Sequence, residues 1–280
     1  MAAKSLSRPT LASNAITHVV LGVAVVLVVF PLLWIVLTSF KTNVQATSYP
    51  PNFGGFHPTT ESYETMLTAS RFRRDLLTSL VITAAATALA VAAASLAAYT
   101  LVRLPAPGKR TLMLLIVLVQ VVPGIILVIP LYKIATTLHL YDSWLLLILV
   151  YAAMCVPFAT WVLVAFIKAV PVEIEEAALI DGASRLQIMW RIVLPVVAPG
   201  MATAAMFSGI ASWNQFLFPL ILGQESAEPL TVYMTTFATS RGTNWGALCA
   251  AAVVILTPIV VFVTAQQRHL VRGLMMGSVK

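Results

Sequence analysis

The sequence predicts an all-α integral membrane protein that crosses the bilayer six times. Of its 280 residues, 60% are hydrophobic and only 10% are charged, whereas about a quarter of the residues in a soluble domain are charged. Six windows contain no Asp, Glu, Lys or Arg, and each can hold a helix of about 20 residues, the length that crosses the hydrocarbon of a bilayer. We therefore expect one transmembrane domain over residues 1–280, with spans near 15–37, 77–102, 111–132, 143–167, 195–221 and 246–266.

The net charge is +7, and the 17 Lys and Arg residues lie mainly at the ends of the apolar windows. Cytoplasmic loops of membrane proteins carry an excess of Lys and Arg, and placing both termini in the cytoplasm puts eleven of the 17 on that side. This predicts a multi-pass protein of the cell membrane with both termini cytoplasmic. Three arginines fall on the outer side and conflict with this predicted orientation: Arg71, Arg73 and Arg74. Nucleic-acid binding is not indicated, because the basic residues form no stripe.

The first apolar window follows Lys4 and Arg8, as the apolar region of a secretory signal peptide follows basic residues. Its core from Val19 to Leu37 is longer than such a region, and no cleavage site of small residues follows it. We therefore expect a retained span. The external segment after it, Lys41 to Asp75, contains prolines and glycines that predict a docking loop rather than a folded domain.

The later windows differ from the first in alanine and proline content. Ten of the fifteen residues from Ala84 to Ala98 are alanine, which predicts close packing of the second span against its neighbours. Prolines interrupt the last four windows, and kinked spans often line a cavity. These prolines are Pro123, Pro130, Pro157, Pro199, Pro219 and Pro258.

Between the fourth and fifth windows, residues 171–195 form a charged segment that predicts two short helices joined by a turn. The first, Val172 to Leu179, carries glutamates near its N-terminus, where the helix dipole favours negative charge. Gly182 suits the left-handed conformation that ends many helices. Ser184 and Gln187 have the spacing of a capping box. Apolar residues then recur with a helical period up to the proline that closes the segment.

This segment resembles the EAA loop, the cytoplasmic loop of permease subunits of ABC importers. Seven positions of that gapped motif are matched at their spacings: Glu176, Ala177, Ala178, Gly182, Ile192, Leu194 and Pro195. A pattern of this length is poorly explained by chance, and an ordinary amphipathic linker is the alternative. The resemblance implies a six-span ABC importer permease fold whose coupling-helix loop contacts an ATPase, with Glu173 and Asp181 added to the contacting residues.

The fifth window contains Trp213, Asn214 and Gln215, at a depth where polar groups need a partner or a water-filled path. Two interpretations stay open. The amides can bind sugar hydroxyls while the indole face suits the apolar side of a pyranose, or the amides can hydrogen-bond a neighbouring helix. A tryptophan-asparagine pair at this distance after the loop resembles the carbohydrate-uptake permeases of the maltose type, which favours a substrate path.

Two other segments resemble the maltose-type permeases. The polar segment between Gly223 and Trp245 resembles an external loop that reaches into the solute-binding protein. The tail, residues 267–280, resembles one that inserts between two ATPase subunits, although Met275 and Ser278 depart from that pattern; a basic cytoplasmic anchor is the alternative. The tail positions that carry the resemblance are Gln267, Arg268, Gly273, Leu274, Gly277 and Lys280.

The energy source is expected to be a separate protein. The spans lack the ionisable relay that proton-coupled carriers usually need, and the Gly108-Lys109 pair has Arg103 where the first glycine of a phosphate-binding P-loop would stand. The chain is therefore predicted to be a non-catalytic pore. The resemblance implies four partners besides the lipid bilayer: a second, similar permease, two copies of an ABC ATPase that bind ATP and Mg²⁺, and an extracytoplasmic sugar-binding protein.

The substrate is expected to be a neutral di- or oligosaccharide, because the spans offer no Lys or Arg to an anionic solute. An ion-coupled secondary carrier or channel with an accidental motif is the alternative function. No cofactor or metal site is expected in this chain, since the four histidines lack ligand spacing and both cysteines lie within apolar windows. An enzyme is not indicated, because the spans lack a carboxylate pair, a histidine cluster or an activated nucleophile.

Overall fold

A computed structural model describes residues 11–278 except 106 and 241, and describes side chains for residues 17–264 except 106, 117 and 241. The α-helices are α1 (Leu11–Ser39), α2 (Asn43–Ala46), α3 (Glu61–Thr68), α4 (Ser70–Arg103), α5 (Lys109–Val119), α6 (Gly124–Thr137), α7 (Trp144–Lys168), α8 (Val172–Ile180), α9 (Arg185–Ile188), α10 (Leu194–Val196), α11 (Ala198–Trp213), α12 (Leu217–Leu222), α13 (Leu230–Tyr233) and α14 (Trp245–Ser278). A π-helix covers Met189–Val193 and a 3-10 helix covers Met234–Phe237. The strands β1 (Ala238–Thr239) and β2 (Gly242–Thr243) form a small antiparallel hairpin.

The all-α membrane class is confirmed. Over the described residues, four helical stretches are long and apolar enough to cross a bilayer: Thr17–Ser39, Ser70–Arg103, Trp144–Lys168 and Trp245–Thr264. A fifth is obtained if the bent pair Arg185–Val196 and Ala198–Trp213 is counted as one span. Helix occupies all six windows expected to cross the membrane, but two of them do not contain a single continuous helix.

The third expected span, 111–132, is not one continuous helix. The structure has α5 and α6 instead, separated by residues 120–123, and Pro123 is the residue that precedes α6. A proline has no backbone N–H to donate, and it moves the residue before it away from the helical conformation. The helix therefore ends before Pro123 and restarts after it.

The fifth span also differs from the expected 195–221. Pro195 does not end a helix: the π-helix that precedes it runs into α10, and the chain then bends by 78° before α11. A π-helix changes the local hydrogen-bond pattern, which accommodates a residue that cannot donate. Residues 214–216 then separate α11 from α12.

The chain divides into two compact units, residues 1–66 with 237–254 and residues 67–236 with 255–280. In the second unit, α4 packs on α7 through a row of alanines at helical spacing that are fully buried: Ala86, Ala90, Ala94 and Ala98. Helix α11 also approaches closely, because a Cβ on Gly200 would lie 2.4 Å from the Phe166 ring. Small side chains thus allow these helices to pack tightly.

In the first unit, residues of the segment after α1 bind back to that helix. The Tyr63 hydroxyl donates to the Ser39 hydroxyl at 2.6 Å, and the Thr59 N–H donates to the Phe40 carbonyl at 2.9 Å. The Trp245 N–H donates to the Asn43 side chain at 2.9 Å. The segment after α1 therefore has a defined structure.

Candidate functional site

The segment 171–195 forms an elbow, a term used below for α8, the turn after it and α9. Helix α8 ends at Ile180, Asp181 is its C-cap, and Gly182 adopts φ +82°. The Gly182 N–H donates to the Leu179 carbonyl and the Ala183 N–H to the Ala178 carbonyl, each at 3.0 Å. This pair of bonds is the Schellman pattern of a helix that ends in a left-handed residue, and glycine adopts that conformation without strain.

The second half of the elbow begins with the predicted capping box. The Ser184 Oγ accepts from the Gln187 N–H at 3.3 Å, and the Gln187 Oε1 accepts from the Ser184 N–H at 2.8 Å. Both backbone donors at the start of α9 are thereby satisfied, so that a new helix can begin two residues after the glycine turn. The expected arrangement of two helices joined at Gly182 is confirmed.

A buried ion pair fastens the elbow to the rest of the unit. The Arg103 Nε donates to the Glu175 Oε1 at 2.6 Å, with 9% and 6% of the two side chains exposed. The Tyr99 hydroxyl donates to the other Glu175 oxygen at 3.2 Å. Arg103 also donates to the carbonyls of Ile167 and Val170, at 3.0 and 2.6 Å. Glu175 therefore ties α8 to the C-terminal ends of both α4 and α7.

Sequence reasoning missed this pair. It took Glu175 as one of the glutamates that suit the N-terminus of α8, and it used Arg103 as a topology signal and as a departure from the P-loop pattern. The position of Arg103 at the end of a long apolar window was the available signal, since a charge there needs a partner. The partner is 72 residues away, and only the docking of α8 identifies it.

The residues expected to contact an ATPase fall into two groups. Those on the outer surface of the elbow are exposed: Glu173, Glu176, Ala177, Asp181 and Gly182. Ala178 and Ile192 are half-buried, Pro195 is exposed beyond the π-helix, and Leu194 belongs to the core with 4% exposure. Ile180 and Leu186, which the motif does not include, are 87% and 61% exposed. The elbow thus exposes Ile180 and Leu186, called its apolar tip below, together with the carboxylates of Glu173, Glu176 and Asp181.

The three residues expected to line a substrate path make different contacts. Trp213 is buried, and its Nε1 donates to the Ile255 carbonyl at 3.0 Å. Asn214 is exposed and donates to the Ile210 carbonyl of its own helix at 2.9 Å. The Gln215 carbonyl accepts from the Thr231 hydroxyl at 2.7 Å. The contact from Trp213 to a neighbouring helix is thus made by the indole rather than by an amide.

Trp213 also lies on the wall of an apolar cavity of about 640 Å³ between α4, the bent pair and the middle of α14. Other wall residues include Thr83, Thr87 and Phe262. The Thr87 hydroxyl is buried and has no hydrogen-bond partner within the described residues. Buried hydroxyls are normally satisfied, and this one lacks a partner beside the cavity.

At the N-terminal end of α4, a charge cluster accounts for two of the three arginines that conflicted with the predicted topology. Arg71 binds both Glu228 oxygens, at 2.7 and 2.6 Å. Arg71 and Arg74 also lie 3.5 and 3.1 Å from Asp75, whose side chain is fully buried. Arg73 is exposed. Arg71 and Arg74 thus neutralise buried carboxylates and are not free topology signals.

Asp142, just before α7, organises the loop that follows α12. Its carboxylate accepts from the backbone N–H groups of Gln224, Glu225, Ser226 and Ala227 at 2.6 to 3.2 Å. The start of the segment expected to reach into a binding protein is therefore held at the N-terminal ends of α4 and α7. These two helices run parallel, with this loop at one end and the elbow at the other.

Acidification should release that loop. Burial raises the pKa of Asp142, but the four N–H bonds outweigh burial and hold its pKa below the usual value. A lowered folded pKa contributes stability above the unfolded pKa, about 3.9, and this stability is lost as the pH falls through the folded pKa. We expect hydrogen-exchange protection at residues 224–227 to fall in that acidic window. Asp142→Asn should lower protection at neutral pH and remove the acid step; an unchanged pH profile would contradict the assignment.

The tail positions lie partly outside the described residues. Gln267, Arg268, Gly273, Leu274 and Gly277 fall within α14, but the structure describes no side chains there, and Lys280 lies beyond the described backbone. Their contact with an ATPase stays a prediction.

Comparison with known proteins agrees with this geometry. The sequence profile of the family described as "Binding-protein-dependent transport system inner membrane component" matches residues 86–276. The chain is 33% identical to the diacetylchitobiose uptake system permease protein DasC of Streptomyces coelicolor, over 95% of each chain. It is 35% identical to the trehalose transport system permease protein SugB of Mycobacterium tuberculosis, over 89% of this chain and 92% of the relative.

Among solved structures, a chain of a bacterial ABC transporter that imports the acidic polysaccharide alginate superposes with a TM-score of 0.78. The match covers 95% of this chain and 99% of the other, at 20% identity, so it shows the fold. The region that matches the family profile includes the alanine-rich face of α4, the elbow and most of α14. The chain belongs to the inner membrane components of binding-protein-dependent transport systems, and it is a non-catalytic permease subunit of an ATP-driven importer.

Proposed function

We propose that this permease imports a neutral di- or oligosaccharide. The relatives named for diacetylchitobiose and trehalose support this substrate class. The cavity beside Trp213 supports it too, because its described walls carry hydroxyl and aromatic groups and no Lys or Arg. A neutral sugar needs hydroxyl partners and an apolar ring face rather than a fixed cation.

The observation that supports coupling to an ATPase is the way the elbow is attached to the rest of the unit. Its apolar tip, Ile180 and Leu186, is exposed while Glu175 is locked to Arg103. Exposed apolar groups rimmed by charges mark protein interaction sites. The tip docks in a groove of the ATPase, where Glu176 pairs with an arginine. Because Glu175 joins the ends of α4 and α7, closure of the ATPase dimer moves these helices together with the elbow.

The complex that this arrangement requires contains a second, similar permease, two ATPase copies that bind ATP and Mg²⁺, and an extracytoplasmic sugar-binding protein. The cytoplasmic placement of both termini puts the elbow on the side of the ATPase. The tail, residues 267–280, extends this contact by inserting between the ATPase copies. Glu173, Ala177, Ala178, Asp181 and Gly182 shape the docking surface, and Ile192, Leu194 and Pro195 connect it to α11.

The proposal is tested on the complex purified from native membranes and reconstituted with its binding protein. Stimulation of ATP hydrolysis by trehalose or diacetylchitobiose, and not by a charged oligosaccharide of similar length, is expected. If the isolated chain instead moved sugar in response to an ion gradient, it would be a secondary carrier.

Thr87 gives a sharper test of the sugar route. Thr87→Val keeps the shape of the side chain and removes a buried hydroxyl that is unpaired in the described structure, so stability should be unchanged or higher by up to about 1–3 kcal/mol. Sugar uptake should fall, because the hydroxyl no longer binds the passing sugar. Thr83→Val, on the same cavity wall, measures the effect of losing a neighbouring hydroxyl. Normal uptake by both variants would exclude this cavity from the route.

A further inference from the structure

The segment after α1 turns back along that helix instead of leaving it. Phe53 stacks against Trp34 with ring centroids 4.8 Å apart. Trp34 precedes the last residue of α1, Ser39, by five positions, which at 1.5 Å per residue is roughly 7–8 Å below the helix end. Phe53 therefore lies beside the apolar part of the first span although it belongs to the loop.

Lys41 holds the loop in this position. Its side chain is buried, with 1% of the residue exposed, and its Nζ donates to the Asn52 carbonyl at 2.6 Å. The same ammonium lies 4.6 Å from the Trp34 ring centroid and 4.8 Å from that of Phe56. Aromatic faces attract a cation electrostatically, so these contacts of Lys41 hold residues 52–56 against the helix.

The loop has the polarity of a membrane-interface segment. Between Lys41 and Glu61 the sequence has no Asp, Glu or Arg, and its one other basic residue is His57. Pro50 and Pro51 have no N–H, while the N–H groups of Gly54 and Gly55 donate to the Asn52 Oδ1 at 3.3 and 2.8 Å. These two bonds and the two prolines reduce the number of free backbone N–H groups in the loop, which lowers the cost of its contact with lipid.

The exposed side chains of the loop continue the apolar surface of α1. Phe53 and Tyr49 are 60% and 95% exposed, and Leu33, next to Trp34 in α1, is 54% exposed. In the most apolar window of Thr17–Ser39, no residue is buried within the described chain. A docking surface for a soluble protein usually has charged groups in its rim, and residues 42–60 of this loop contain no Asp, Glu, Lys or Arg.

We propose that residues 49–56 are a lipid-interface anchor, in which Phe53 and Tyr49 enter the boundary between headgroups and acyl chains beside Trp34, held there by Lys41. Aromatic side chains favour this boundary because they are amphipathic. Interfacial segments lie about 5–10 Å into it, which agrees with the depth of Trp34 below the helix end. The anchor fixes the height of the first span in the bilayer.

The test places a fluorescent reporter at residue 54 in the assembled importer, in nanodiscs of phosphatidylcholine and phosphatidylglycerol. Gly54 is suitable because a Cβ there meets nothing within 4 Å. Gly54→Cys is labelled with an environment-sensitive dye in a background carrying Cys155→Ala and Cys249→Ala. Quenching by lipids with a nitroxide near the headgroup is compared with quenching by iodide in water. Ser240→Cys, at the exposed tip of the β-hairpin, is the matched control.

We expect lipid nitroxide to quench the label at residue 54 at least about twofold more than the label at residue 240, since interfacial groups lie within reach of the acyl chain. Lys41→Met or Phe53→Ser, added to the reporter variant, should reduce this difference. Quenching of residue 54 by iodide but not by lipid would overturn the proposal. Shielding from iodide only after the sugar-binding protein is added would also overturn it and would make the loop a protein docking surface.

Discussion

Glu175→Gln is expected to uncouple ATP hydrolysis from sugar transport and to destabilise the permease. Arg103 would keep its bonds to the Ile167 and Val170 carbonyls but lose its counter-charge in a buried site. Removing one partner of a buried ion pair costs about 3–5 kcal/mol. The elbow would then move without α4 and α7. In proteoliposomes, the sugar moved per ATP hydrolysed should fall several-fold, and the thermal unfolding temperature should drop.

The matched control is Glu228→Gln, which breaks the pair with Arg71 at the other end of α4. It should lower stability without changing the ratio of sugar moved to ATP hydrolysed. The double variant Arg103→Met with Glu175→Met distinguishes the loss of stability caused by an unpaired buried charge from the loss of the link between α8 and α4. Apolar replacement of a buried pair is often neutral for stability. It should recover the unfolding temperature but not full coupling. A wild-type ratio in Glu175→Gln would show that the ion pair does not transmit motion.

Gly182→Val is expected to abolish productive contact with the ATPase while leaving membrane insertion intact. At φ +82° an L-residue pays about 1–2 kcal/mol, and a β-branched residue is strained further. Relief of this strain would break the two Schellman bonds and rotate α9 relative to α8. Ile180 and Leu186 would then no longer form one apolar tip. Sugar-stimulated ATPase activity of the reconstituted complex measures the loss.

Gly108→Val supplies the control, because Gly108 has φ +77° and, like Gly182, has no atoms within 4 Å of an added Cβ. The backbone strain is nearly the same, but Gly108 lies outside the elbow. It should lower stability by a similar amount and keep sugar-stimulated ATPase activity. Equal loss of activity in both variants would attribute the effect of Gly182→Val to general destabilisation.

The elbow could be predicted in detail because its structure depends on interactions between residues close together in the sequence. The capping box of Ser184 and Gln187 and the left-handed Gly182 are local hydrogen-bond patterns, so their spacing along the chain is sufficient to identify them. The same local rules misjudged Pro195. A proline usually ends a helix, but the π-helix ahead of it lets the chain continue into α10.

The sequence by itself determined that six apolar windows are helical, that two short helices meet at Gly182, and which segment carries the family motif. These properties depend on composition and short spacing. Only the tertiary structure decided that Glu175 locks to Arg103, that Glu228 binds Arg71 157 residues away, and that Asp142 organises residues 224–227. The packing of the helices determines these partners, because a buried charge binds whichever group of opposite charge lies within reach. No pattern of neighbouring residues in the sequence predicts which group that is.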